Sequence, residues 1–196
     1  GVADDTSLGE AIKKGPPVVG AAFTSDDQGA GRKWPASIPG PKFMIDGLAA
    51  WQKETGAGGD GVIGGVFPIP EVALNAPVLA DTRLNPDPDN VYRRARLFSV
   101  FDGRVLPSPA LGIFLAASPD TRLGIAPAVL TVGGHRVPVD AKGYAILNFR
   151  GPAGTHQAFS AAAVIQSELR IRNNEAPVIA GNDLFRDSYV LFGFSA

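Results

Sequence analysis

A chain of 196 residues can build a substantial core within one domain. Its 45% hydrophobic and 19% charged residues are the balance of a folded globular protein and argue against disorder. A formal net charge of −1 removes the overall positive charge expected of a nucleic-acid binder. The absence of cysteine excludes disulfides, thiolate catalysis and cysteine-ligated metal.

In chain order, Asp4 to Lys14 reads as a short helix. Ser7 and Glu10 have capping-box spacing, Leu8, Ala11 and Ile12 make an apolar stripe, and Lys13 and Lys14 suit the negative end of the helix dipole. Gly15, Pro16 and Pro17 stop it, and the apolar run Val18 to Phe23 follows as a buried strand. A helix passing directly into a strand is an α/β pattern. Thr24 to Pro41 lacks apolar periodicity and reads as a long surface loop, of the kind that is functional or mobile. Trp34 within it either anchors the loop on the body or meets a partner. Asp46 is placed to cap a helix over Gly47 to Glu54, with Leu48, Ala49 and Trp51 turned inward.

Gly56-Ala57-Gly58-Gly59-Asp60-Gly61 spells a G-x-G-x-x-G string, but a helix precedes it and the strand Val62 to Phe67 follows. A dinucleotide fingerprint needs the reverse order, so that helix amides face the pyrophosphate; the string therefore reads as a glycine connector. Pro68 to Leu79 reads as a turn and a short helix. A strand from Val91 to Phe101 meets Asp102-Gly103, a strong hairpin dipeptide, and Val105 and Leu106 return. Ser108 caps a helix with Pro109 in its first turn, reaching Ala117. A second hairpin runs from Ala128 to Val132, through Gly133-Gly134, to Val139. Tyr144 to Phe149 follows as a buried strand. Phe159 and Ser160 open a helix to Leu169, and Tyr189 to Ala196 reads as a core strand with nothing after it, which points to a chain cropped from a longer polypeptide. The fold class expected is mixed α/β, a central mixed sheet with flanking helices and two hairpins, in a single domain over 1–196.

The stretch Asn85-Pro86-Asp87-Pro88-Asp89-Asn90-Val91-Tyr92-Arg93-Arg94-Ala95-Arg96 concentrates the charge. Two prolines stiffen an acidic turn in which Asn90 tolerates positive φ, and strand alternation puts Arg94 and Arg96 on one face. Three readings compete. In the first, the aspartates pair with the arginines to hold a turn. In the second, Arg93, Arg94 or Arg96, with Asp87 and Asp89 beside them, form a site for an anion, since guanidinium forks suit carboxylate or phosphate. The third is a calcium loop with Asn85, Asp87 and Asp89 at its first, third and fifth positions; Asn90 replaces the glycine it needs and Arg96 stands where the bidentate glutamate belongs, so no metal is expected.

His135 and His156 have no second ligand at zinc spacing, and no G-x-S-x-G elbow, P-loop or kinase signature occurs. Neither an enzyme nor a cofactor is expected. The longest uncharged run, 105–119, is interrupted by prolines and falls short of the roughly 18 apolar residues of a spanning helix. The opening Asp4 and Asp5 do not suit a signal peptide.

Seven fragments in order carry a resemblance. They are Asp5-x-x-Leu8-x-x-Ala11-Ile12 with its valine strand; Asp87-Pro88-Asp89-Asn90-Val91-Tyr92-Arg93-Arg94-Ala95; Pro107 to Leu111; Val137 to Gly143; Ile146 to Pro152; Phe159-Ser160; and Asp187 to Gly193. Together they resemble the second type of CHASE domain, the extracytoplasmic sensor of bacterial receptors. Asp89-Asn90 replaces that family's usual aspartate-glycine, and the segments expected upstream of Asp4 and after Ala196 are missing. The resemblance implies an α/β sensor at the periplasmic face of the cell membrane, held there by segments outside this chain and coupled to a nucleotide cyclase or a protein kinase. It implies no ligand. An unidentified small molecule or periplasmic partner is the expected input, with a homodimer as a further possibility and no nucleic acid. The alternatives are a structural dimerisation or spacer module of such a receptor, and a soluble α/β hydrolase-like enzyme.

Overall fold

The computed structural model describes residues 2–25, 31–57, 64–152, 154–181 and 183–193. Contacts divide the chain into two compact units, 1–147 and 148–196.

The first unit mixes helices with small sheets, so the chain is α/β as expected. Helix α1 (Val2–Lys14) leads into β1 (Val19–Ser25). β1 is the middle strand of a three-stranded sheet. It runs parallel to β4 (Val78–Asp81), with Val19 opposite Val78, and antiparallel to β3 (Gly64–Val66), with Phe23 opposite Val66. Between β3 and β4 the chain makes the short helix α3 (Pro70–Ala73), on which α1 packs through Gly9. A Cβ at Gly9 would stand 3.2 Å from the Glu71 carbonyl oxygen, which is why the contact face is bare there.

A four-stranded sheet has the order β10-β9-β8-β2, where β2 is Ile45–Asp46, β8 Leu123–Ala126, β9 Val129–Val132 and β10 His135–Pro138. Only the β2–β8 pair is parallel. The β9–β10 turn, Gly133-Gly134, has φ of 54° and 87°, and the hairpin of β6 (Phe98–Phe101) with β7 (Arg104–Pro107) turns at Asp102-Gly103 with φ of 48° and 72°. Positive φ at both central residues is the turn whose twist matches the flanking strands. Both expected hairpins therefore form. β5 (Arg94–Arg96) and β11 (Tyr144–Ile146) make an antiparallel ribbon, Arg96 facing Tyr144 and Arg94 facing Ile146. Helix α4 (Pro109–Ala117) starts as expected, with the Ser108 hydroxyl accepting from the Leu111 amide at 3.4 Å. It lies on β1 and β4 through Gly112, where a Cβ would come within 3.1 Å of the Ala80 methyl.

Two apolar clusters fill this unit. One gathers Trp51, Phe98, Leu111, Leu115, Leu123 and Leu130; the other gathers Ala22, Trp34, Ile38, Leu79, Phe101 and Leu106. Trp34 is thus the loop's anchor: its indole packs edge-on to Phe67 with centroids 4.8 Å apart, and its Nε1 donates to the Ile38 carbonyl at 2.8 Å. Its backbone N–H donates to the Asp102 carboxylate at 3.0 Å, and Arg104 lies over its ring. The segment called a loop from Thr24 onward is still strand through Ser25.

Several local expectations fail for identifiable reasons. Asp46 belongs to β2; helix α2 (Leu48–Thr55) is preceded by Gly47 at φ 81°, with no side-chain cap, and of the expected inward residues Ala49 is exposed. Ser7 lies inside α1, donating back to the Ala3 carbonyl, while Leu8 and Ala11 face outward because Gly9 makes the contact. The strand expected over Val91 to Phe101 is broken between β5 and β6, whose partners differ. The strand at Tyr144 ends at Ile146, which is 83% exposed, and so is not a buried one. Of the glycine string, Gly56 ends α2 at φ 67°, and Gly58 to Gly61 lie outside the described residues.

In the second unit, α5 (Ala161–Arg172) follows Ser160. The buried Ser167 hydroxyl donates to the Ala163 carbonyl and accepts from the Ile179 amide at 2.9 Å, tying the following segment to the helix. Phe159 and Phe185 meet edge-on at 5.6 Å. The core strand expected from Tyr189 is not one in its described part: Tyr189 to Phe192 form no strand and are exposed.

Candidate functional site

The acidic turn and the arginines do meet. Asn90 takes φ 61°, its N–H bonds the Asp87 carbonyl, and the Asp89 carboxylate accepts from the Val91 amide at 3.3 Å. Arg94 sends both Nε and an Nη to one Asp87 oxygen, at 2.9 and 2.6 Å, and reaches Asp140 at 3.1 Å. Arg93 leaves on the opposite side and pairs with Asp89 at 2.8 Å, with Asp87 farther off at 3.7 Å. The Arg94 hydrogen bond holds the Asp87 carboxyl below the usual aspartate range against partial desolvation, and Asp87 in turn raises Arg94. Asp140 also accepts from the backbone amides of Lys142 and Tyr144, both at 2.9 Å. The corner thus joins the 85–90 turn, β5 and the turn before β11. Arginine charge occupies the carboxylates that the calcium reading would have used.

Arg96 behaves differently. It shares a face with Arg94, as strand alternation required, and both lie over the Tyr144 ring, at 5.0 and 5.7 Å. Its strand, however, borders a small open cleft with room for about one water molecule. Phe98 and Tyr144 give the cleft apolar surface, and Asp81, Arg83, Asn85, Arg96, Ser99 and Ser108 line it with polar groups.

Asp81 is the residue that the sequence did not single out. It ends the apolar run Val78-Leu79-Ala80 and is 7% exposed. Four donors converge on it: one oxygen accepts from the Thr24 amide at 3.0 Å and the Arg83 amide at 3.1 Å. The other accepts from the Thr24 hydroxyl at 2.6 Å and the Ser99 hydroxyl at 2.7 Å. A buried carboxylate needs such partners, and these come from β1, β6 and the residues just after β4. Thr82 adds a parallel tie, its hydroxyl donating to the Ala22 carbonyl at 2.9 Å. An aspartate closing an apolar strand run was the available signal.

His135, on β10, and His156 are both exposed. Among the described residues, no group of three or more His, Cys, Asp or Glu is arranged to hold a metal ion. No helix among them is long and apolar enough to cross a membrane.

The model of the CHASE2 domain matches residues 2–196 of this chain. CHASE2 domains are extracytoplasmic sensory domains of receptors, so the domain itself is sensory and not catalytic. No curated protein and no solved structure matches the chain.

Proposed function

We propose that this chain, which belongs to the CHASE2 domain family, is the periplasmic signal-input domain of a bacterial membrane receptor. Its occupancy by a small molecule or a periplasmic partner changes a cytoplasmic cyclase or kinase output, through membrane segments outside this chain. The observation that carries the reading is the family match over essentially the whole chain. The charged corner supports it: Asp87, Asp89, Arg93 and Arg94 join two turns and the β5–β11 ribbon, with Arg96 at the adjoining cleft. An input arriving there reaches several elements at once, and only an input that favours one arrangement over another can shift an output.

The test uses the full-length gene. Residues 1–196 are deleted in frame, and cyclic-nucleotide production or phosphotransfer is measured in membranes. An altered basal output, or loss of its response to growth conditions, is expected. An output identical to the intact receptor's under every condition ends the reading.

A second reading, a dimerisation or spacer module, is favoured by one observation: Phe149, Ile165, Leu191 and Phe192 of the second unit are all more than half exposed. Sedimentation of the chain separates the two. A stable dimer, with no effect of any ligand on its unfolding, is the spacer's signature.

A further inference from the structure

We propose that residues 31–41 are a lid over the face of the β3-β1-β4 sheet that carries Asp81, latched at Asp102 and built to lift as one piece. The proposal concerns the fold itself and stands apart from the sensory reading. It starts from how little of the segment is buried. Trp34 and Ile38, each 7% exposed, are its buried residues; the others are half-buried or exposed, and none lies in a helix or a strand of the sheets.

These two feet are joined to each other as well as to the body. The Trp34 indole donates to the Ile38 carbonyl at 2.8 Å, and the Ile38 amide donates to the Pro35 carbonyl at 3.0 Å. Both bonds travel with the segment when it lifts. Two others cross to the body: the Gly65 amide donates to the Gly31 carbonyl at 2.8 Å, and the Trp34 amide donates to the Asp102 carboxylate at 3.0 Å. A segment with two buried side chains and an exposed backbone belongs to the low end of local stability.

Asp102 is the latch. It sits in the β6–β7 turn and pairs with Arg104 at 3.1 Å, while Arg104 lies over the Trp34 ring at 5.4 Å. The two side chains are 35% and 43% exposed, so water reaches the latch while the indole beneath stays dry. Under the feet lie Ala22, Leu79, Phe101 and Leu106. Gly65 lets the aromatic rings lie on the sheet, since a Cβ there would stand 3.1 Å from Phe67 and 3.2 Å from Phe101. Ala22 is opposite Asp81 across β1 and β4, and Leu106 is opposite Ser99 across β7 and β6. The floor therefore adjoins the four-bonded carboxylate, whose hydrogen bonds strengthen where water is kept out. Lifting the lid wets that cluster and couples the Asp102 turn to the tie between β1, β4 and β6.

The test is backbone amide exchange of the 196-residue chain, followed by NMR. The Trp34 and Gly65 amides should share one protection factor, at least about tenfold below that of the Thr82 amide held by the Ala22 carbonyl, and should respond little to added urea. Asp102→Gly keeps a positive-φ turn, as Gly133-Gly134 does, and removes the latch. It should speed both amides by about tenfold or more, although the Asp102 carboxylate bonds Trp34 and not Gly65. Should Asp102→Gly fail to fold by circular dichroism, Asp102→Asn replaces it, and the same pair should speed by a smaller factor. Ser99→Ala, outside the lid, should speed Thr82 and leave Trp34 and Gly65 unchanged. Equal protection of Trp34, Gly65 and Thr82 in the unsubstituted chain would overturn the lid. So would an unmoved Gly65 in the folded Asp102 variant, or a Gly65 that follows Thr82 in Ser99→Ala.

Discussion

Asp81 and Asp87 lie six positions apart and solve opposite problems. Asp81 is buried and surrounded by amides and hydroxyls brought from β1 and β6; Asp87 is partly covered, its side chain 14% exposed, and is met by the more open arginines that follow it in the chain. A buried carboxylate keeps its charge only when donors replace the lost water, and removing it strands those donors. An ion pair whose arginine side stays open to water still competes with solvent and salt and is worth less to the fold than a buried cluster. The two aspartates therefore divide the labour: one knits strands together, and the other orders a turn beside the cleft.

Breaking the buried member should have the largest effect. Asp81→Ala leaves the Thr24 and Ser99 hydroxyls and two amides without their acceptor, and a loss of about 3 kcal/mol or more is expected in urea denaturation. A loss within about 0.5 kcal/mol, the range of ordinary surface substitutions, would show that Asp81 is not the tie described here. Ser99→Ala removes one donor and should cost less, about 1–2 kcal/mol, since the other three bonds remain. Equal losses for the two variants would mean that the hydroxyl, not the carboxylate, organises the cluster.

The partly covered member sharpens the contrast through pH. Asp87 has a lowered pKa in the folded chain, so its contribution is fully present above the pKa of the unfolded chain. That contribution fades as pH falls through the folded value. Arg94→Gln should consequently show a small deficit against the unsubstituted chain at neutral pH, and the two should converge below the ordinary aspartate range. The same substitution should move the Asp87 carboxyl resonance titration upward, toward that range. A deficit that persists in acid, or an unmoved titration, would mean that Arg94 acts by packing on Tyr144 rather than through Asp87.

The contrast also explains what the sequence could tell. The corner was legible because its partners are close in the chain: Arg93 lies four residues from Asp89 and Arg94 seven from Asp87. The two hairpins, the start of α4 and the α/β class were legible for the same reason, through Asp102-Gly103, Gly133-Gly134 and Ser108-Pro109. The Asp81 cluster was not, since Thr24 lies 57 positions away and Ser99 lies 18. Nor does an apolar run state which of its faces is covered. Ile146 sits in a two-stranded ribbon with an open face, and Tyr189 to Phe192 carry strand-forming residues without a pairing partner among the described residues. Trp34 shows the converse: a segment rich in turn residues is pinned to the core by one indole, which only the position of Phe67 and Asp102 could reveal.

The most direct check on the sensory account is where this domain lies in the cell. The 196 residues contain no cysteine, so one placed at the exposed Arg136 of β10 reports on this domain alone once the receptor without it serves as background. In intact cells with a permeabilised outer membrane, a thiol reagent that cannot cross the inner membrane should label Arg136→Cys fully. Labelling only after lysis would place the domain in the cytoplasm and contradict the account.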